Sequence, residues 1–209
     1  MKQIRIFRLI ICIIFLSAFL FSCNNISIQD TNLKTDTNES TIDLTGYAFP
    51  IFGKITNISD SEIIINNESK TAMQGEMRIP LSNLLIFDSK NMILSSKNNL
   101  KVGEEIYGNI SDGVGLSIPA LVNCEAIFVN YDTFQDIPAY EIVKEIKKEN
   151  QKYQIIVNDI TSYVISSEVN VRPLKTKNII TMDDIKVGSK VLLKNQYDEE
   201  INEVVLVSE

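Results

Sequence analysis

The residue type that most often does acid–base chemistry is missing from these 209 residues. The chain has no histidine and no tryptophan, and its three cysteines are Cys12, Cys23 and Cys124. Without histidine it lacks the usual general base, the usual activator of a nucleophile and the commonest metal ligand. Ser-His-Asp and Cys-His arrangements therefore cannot be built from this chain. Carboxylates, hydroxyls and thiols remain. The acidic runs Asp183-Asp184 and Asp198-Glu199-Glu200 lack the alternating spacing of an EF-hand loop and read as solvated turns ahead of strands. The long loop Asn109–Asn123 holds Asp112-Gly113, Gly115, Ser117 and Pro119. Loops on a rigid scaffold are where binding groups concentrate, so Tyr107 and Ser117, beside loop backbone amides, are the candidate ligand-binding side chains. The alternative is a bulged connection in which Pro119 sets the start of a closing strand. No catalytic residue, metal site or cofactor is expected, and the chain reads as non-enzymatic.

The position with a defined reaction is Cys23. Lys2, Arg5 and Arg8 form a cationic start, and the uncharged run Leu9–Phe21 follows, ending at Ser22. This is the plan of a secretory signal peptide. The run is too short for the roughly 20 apolar residues that a spanning helix needs, although an uncleaved anchor is the competing reading. Leu20-Phe21-Ser22-Cys23 resembles the bacterial lipobox. That resemblance implies cleavage before Cys23 and acylation of its thiol, so residues 1–22 are the lipoprotein signal peptide. Two acyl chains anchor stably where one is marginal. The expected location is the extracytoplasmic face of the bacterial cell membrane, with the lipid on Cys23 as the membrane contact.

Removal of residues 1–22 takes three cations from 20 and leaves 17 against 27 acids, a balance of −10. An acidic chain without a basic stripe is a poor match for nucleic acid or for anionic lipid headgroups. Cys12 leaves with the signal and Cys23 takes the lipid, so Cys124 has no disulfide partner. Placed just ahead of the apolar run Ala126–Val129, it reads as a buried small hydrophobe.

Residues 23–45 are the lipidated cysteine and its tether. The stretch from Asn24 to Thr45 is rich in Asn, Thr, Ser and Asp and cannot bury enough apolar surface to offset its ordering entropy. A flexible spacer of roughly 22 residues reaches about 75 Å when fully extended and spans roughly 25 Å as a coil.

From Gly46 onward, short β-branched and aromatic runs alternate with Asn, Asp, Gly, Ser and Pro. Runs of this length and spacing predict strands of a small barrel or sandwich. Four blocks then recur in order. Ile55 matches Ile146, and Ile63-Ile64-Ile65-Asn66-Asn67 matches Ile155-Ile156-Val157-Asn158-Asp159. Leu100-Lys101-Val102-Gly103 matches Ile185-Lys186-Val187-Gly188, and Glu125–Val129 matches Glu203–Val207. The repeats are 46–131 and 132–209. In the Lys-Val-Gly blocks the glycine ends a loop with positive φ, Ile106 takes the place of Val191, and Val191 and Leu193 share a strand face opposite Lys190 and Lys194. Ala139–Asn150 is ambiguous. Ile142, Val143 and Ile146 sit at helical spacing, whereas the repeat predicts a strand over Glu141–Lys148.

Leu-Lys-Val-Gly-Glu-Glu-Ile, then Ser117-Ile118-Pro119-Ala120, then Glu125–Val129 is similar to a pattern in exported proteins of Firmicutes. Those are largely uncharacterised, and several are lipoproteins. The resemblance covers about Gly46–Asn130. It implies an oligonucleotide/oligosaccharide-binding-like (OB-like) barrel, in which these motifs are structural. The expected architecture is all-β: two small OB-like or SH3-like five-stranded barrels in tandem. The expected role is a non-catalytic module binding an envelope protein or glycan. A structural or assembly lipoprotein is the alternative, with a carboxylate-based hydrolase behind both. If Cys23 carries the anchor, Cys23→Ser moves the protein out of the membrane fraction on cell fractionation. Full retention would make Leu9–Phe21 the anchor instead.

Overall fold

A computed structural model of the chain describes residues 49–111, 114–115, 117–149, 152–195 and 200–208. The expected signal peptide, Cys23 and the expected tether, with Asp112-Gly113 and Asp198-Glu199, lie outside the described residues. Those described form an all-β protein with two sheets in tandem.

The first sheet opens with a meander of β1 (Phe49–Ile58), β2 (Glu62–Asn67) and β3 (Gly75–Pro80). After short β4 (Leu85–Asp88) and β5 (Ile93–Leu94), β6 (Glu105–Ile110) returns beside β1. The closing strand comes in two pieces. Of these, β7 (Ala120–Leu121) runs parallel to β3, and β8 (Cys124–Val129) is antiparallel to β6 and parallel to β4. The chain itself thus joins the two ends of the sheet into a barrel-like ring. Side chains alternate across each strand: Ile51, Ile55, Ile63, Ile65, Met77, Ile79, Ile106 and Ile127 are buried in one core. Gly53 lets the walls close, since a Cβ there would stand 1.9 Å from the Asn66 carbonyl oxygen.

The second sheet repeats the plan with its opening strand broken. β9 (Ala139–Ile142) pairs with β13 (Lys190–Lys194), and β10 (Glu145–Glu149) pairs with β11 (Lys152–Ile156). β12 (Ser162–Pro173) pairs first with β11 and then, after a register shift, runs parallel to β14 (Ile201–Ser208). Counting each broken strand once gives the expected five-strand ring, with β4 and β5 added to the first. The stretch Glu141–Lys148 is extended on both sides of the break at Val143-Lys144, so the strand reading stands over the helical one. Its helical spacing was incidental.

Two repeat matches shift. Gly103 N–H donates to the Ile55 carbonyl at 2.7 Å, and Gly188 N–H donates to the Val143 carbonyl at 2.8 Å. Both glycines have positive φ, 88° and 91°. Val143, not Ile146, therefore stands in the place of Ile55, and Ile146 opposite Ile155 matches Ile58 opposite Ile63. In the last strand Tyr107 faces Phe128 while Leu192 faces Val205, so Phe128 matches Val205 rather than Leu206. A one-residue slip exchanges the two faces of a strand, and only this register puts both Ile127 and Val204 in their cores. The Lys-Val-Gly turns repeat even in their polar detail. Glu104 Oε2 accepts from Lys101 N at 3.0 Å, and Ser189 Oγ accepts from Lys186 N at 3.0 Å.

The outer face of the first barrel carries a row of aromatics: Phe87, Phe128, Tyr107 and Phe52 stand side by side on β4, β8, β6 and β1. The equivalent row on the second barrel is Arg172, Val205, Leu192 and Tyr140. The two rows meet in a third hydrophobic cluster, where Phe87, Met92, Ala126 and Phe128 pack with Leu192 and Val205. Phe87 lies 5.6 Å from the Phe128 ring and 6.0 Å from that of Tyr140. Polar bonds rim the contact. Arg172 is held by Glu203 at 3.0 Å and donates Nη2–H to the carbonyls of Met92 and Asn91. Lys194 Nζ donates to the Ser89 carbonyl at 2.8 Å. Met92 is fully buried at φ 50°, a backbone region costly for a non-glycine residue, so the Arg172 bond to its carbonyl helps hold a strained turn. Phe128→Ala should lose about 3–5 kcal/mol in urea unfolding. A loss below about 1 kcal/mol would mean that the barrels do not depend on this contact.

Candidate functional site

Where the packed rows diverge, the two barrels leave a cleft. One compartment, of about 350 Å³, is bounded by Asn109 and Ser111 at the end of β6, by Glu125 on β8, and by Tyr140, Glu141 and Lys144 from the broken opening strand. A second, of about 290 Å³, lies against Tyr107, Phe134, Ile137 and Tyr163. Asn109, Phe128, Tyr140 and Glu141 line both. Either volume is near the lower end of the range for ligand pockets, roughly 300–1,000 Å³.

Local strand geometry places each group. Tyr140 and Glu141 are neighbours on β9, opposite Leu192 and Val191, so their side chains leave opposite faces of the strand. Tyr140 turns toward the first barrel and donates its phenol to Glu125 Oε1 at 2.9 Å. Lys190 also donates to that oxygen. Glu141 accepts from Tyr163, on β12, at 3.0 Å. The site is thus framed by two tyrosine–glutamate couples. Tyr107 is held among Phe128, 6.4 Å away, and Phe134, 6.0 Å away. Among the described residues the half-buried Asn109 amide has no side-chain hydrogen bond.

Burial sets the electrostatics. It raises the phenol of Tyr140, with the Glu125 bond and charge adding to the effect. It raises Tyr163 too, followed by the charge and bond of Glu141, and burial alone raises Tyr107. These phenols therefore stay neutral at physiological pH, and Tyr140 and Tyr163 act as donors. Burial also raises the Glu141 carboxyl above its usual 4.5, partly offset by the Tyr163 bond. A neutral tyrosine, not a cation, is its hydrogen-bond partner.

The two sequence candidates separate. Tyr107 is in the cleft wall. Ser117 is beside β3, where its Oγ accepts from Arg78 Nη2 at 3.3 Å and donates to the Pro119 carbonyl at 2.8 Å. It braces the loop before β7, whose Ile118–Pro119 peptide is cis. Sequence reasoning missed Tyr140, Glu141, Glu125 and Tyr163. The usable signal was that Tyr140 takes the repeat position of Phe52, a place for outward aromatics.

Cys124 packs against the first core, and burial pushes its thiol up to about 12, which leaves it unreactive. Asp183 and Asp184 belong to a single 3₁₀ turn capped through Thr181. Among the described residues no three His, Cys, Asp or Glu side chains group closely enough to hold a metal ion. A separate hollow of about 370 Å³ beside Asp88, Glu104, Glu105 and Tyr131 has its acids committed internally. Asp88 accepts from Asn91 and Asn130, Glu104 caps the Lys-Val-Gly turn, and Glu105 faces Lys54 at 3.8 Å.

The fold is that of a tandem barrel protein with a cleft between its repeats. No protein-family model and no curated protein matches the chain.

Because the folded state raises the Glu141 pKa, its stabilising contribution is complete below the unfolded value near 4.5. It declines as pH rises through the folded pKa. Glu141→Gln should therefore melt at the same temperature as the parent near pH 4 and at a higher one at pH 7. A variant less stable at pH 7 would show that the ionised carboxylate is itself stabilised.

Proposed function

We propose that this protein is a lipid-anchored lipoprotein of the extracytoplasmic membrane face, akin to the exported Firmicutes proteins it resembles. It acts there as a non-catalytic binding module, and the inter-barrel cleft is its ligand seat. The observation that carries the reading is the cleft itself, where two preset tyrosine–glutamate couples flank an uncommitted Asn109 amide. Such groups cost little rotamer entropy to engage, because the protein has already fixed them. The cationic leader and the Cys23 motif support the location. The roughly 22-residue tether supports access to an envelope protein or glycan some distance from the bilayer. Acidity supports a partner other than nucleic acid.

The alternative is a structural or assembly lipoprotein, favoured by the apolar packing that locks the barrels together. A photo-crosslinking side chain distinguishes the two in living cells. Placed at Asn109 it should capture an envelope component, while at Ile160, which is 90% exposed on the β11–β12 turn, it should not. Equal capture from both positions would remove the cleft from the function.

A further inference from the structure

The cleft's chemistry narrows the ligand class. We infer that the seat takes a neutral saccharide chain, an inference that rests on the binding role proposed above. Three observations point the same way.

The first is the supply of acceptors. Glu125 and Glu141 each accept a tyrosine hydroxyl through Oε1 alone, and Asn109 is uncommitted. A ligand rich in O–H donors satisfies these groups, and a hydrogen bond from a hydroxyl to a carboxylate is among the stronger kinds.

The second is the aromatic surface. Tyr140 and Tyr163 are half-buried, with their hydroxyls fixed by the glutamates and part of each side chain left accessible. Phe134 is 54% exposed at the far end of the cleft. Apolar ring surface beside fixed polar groups suits a ligand with C–H faces and hydroxyl edges. A sugar ring carries both.

The third is charge. Lys190 is committed to Glu125, which leaves Glu141 and the exposed Lys144 as the remaining charged pair of the first compartment. With Glu125 matched by Lys190 and Glu141 by Lys144 the site carries no net charge, so a phosphate or uronate gains no net attraction and gives up hydration on entering a half-buried site. A cation has Glu141 and the ring faces to pair with but is opposed by Lys144 and Lys190. The two adjoining compartments that share Asn109 and Tyr140 favour at least two linked sugar units over one.

The test titrates the detergent-solubilised full chain, observed by amide NMR shifts. The probes are a neutral N-acetylglucosamine tetramer, a maltotetraose, the free monosaccharides, a tetragalacturonate and a tetralysine peptide. A neutral tetramer should bind, shifting the amides of Asn109, Tyr140 and Tyr163, with its monosaccharide at least tenfold weaker. Tyr163→Ala should weaken binding tenfold or more. Tyr163→Phe, which keeps the ring and loses the bond to Glu141, should weaken it less, and exposed Ile118→Ala should leave it unchanged. Monosaccharides binding as tightly as the chains would assign the cleft to a free sugar and overturn the chain reading. Shifts at the cleft from tetralysine or tetragalacturonate alone would overturn the neutral saccharide and keep the cleft as a binding seat. Saccharide shifts confined to another surface would overturn the inference, and so would no response to any probe. Capture from Asn109 in cells would then decide separately whether the binding role survives.

Discussion

The apolar contact between two equivalent barrel faces is the constraint on which the arrangement depends. Each barrel fills its own interior with aliphatic side chains, and a small β-barrel needs little more to exist. What the alternation leaves outside is decisive. Phe87, Phe128 and Tyr107 on one barrel, and Leu192 and Val205 on the other, would form apolar strips of the kind that soluble monomers rarely expose. Packed together they exclude water and give the tandem a fixed geometry. The polar rim of Arg172, Lys194 and Lys190 then ties strand ends and carbonyls across the seam. The cleft is a consequence of that seam: two convex barrels touch along one strip and diverge beyond it.

The second repeat departs from the first at its opening strand. Its opening strand must serve β13 on one side and β11 on the other, and it breaks at Val143-Lys144, the place where β1 in the first repeat shifts register between Ile55 and Asn57. The bulge of the first copy has become an interruption in the second. β9 is thereby free to bring Tyr140 against Phe87 and Glu125 while Glu141 turns toward Tyr163. The irregular strand is therefore also the one that furnishes the cleft.

Much of the fold was legible in the residues. Ile63-Ile64-Ile65-Asn66-Asn67 reads as a strand and turn because its pattern and its turn residues agree. The paired Lys-Val-Gly turns read as scaffold because glycine tolerates the positive φ they need. The errors were of register. Matching Ile55 to Ile146 and Glu125–Val129 to Glu203–Val207 compared residue types, whereas the backbone compares hydrogen-bond partners. In a strand, a shift of one residue leaves the composition nearly unchanged and exchanges core for surface.

By itself the sequence determined the class of the protein: an all-β tandem of acidic barrels, without histidine chemistry. These properties are local, because they follow from composition, periodicity and short spacings. The site was decided only by tertiary structure. Tyr107 and Tyr140 are 33 positions apart, and Glu125 and Lys190 are 65 apart. Nothing in either neighbourhood announces the other. They meet because two outer faces, each unremarkable along its own strand, bury one another and leave a gap at the edge.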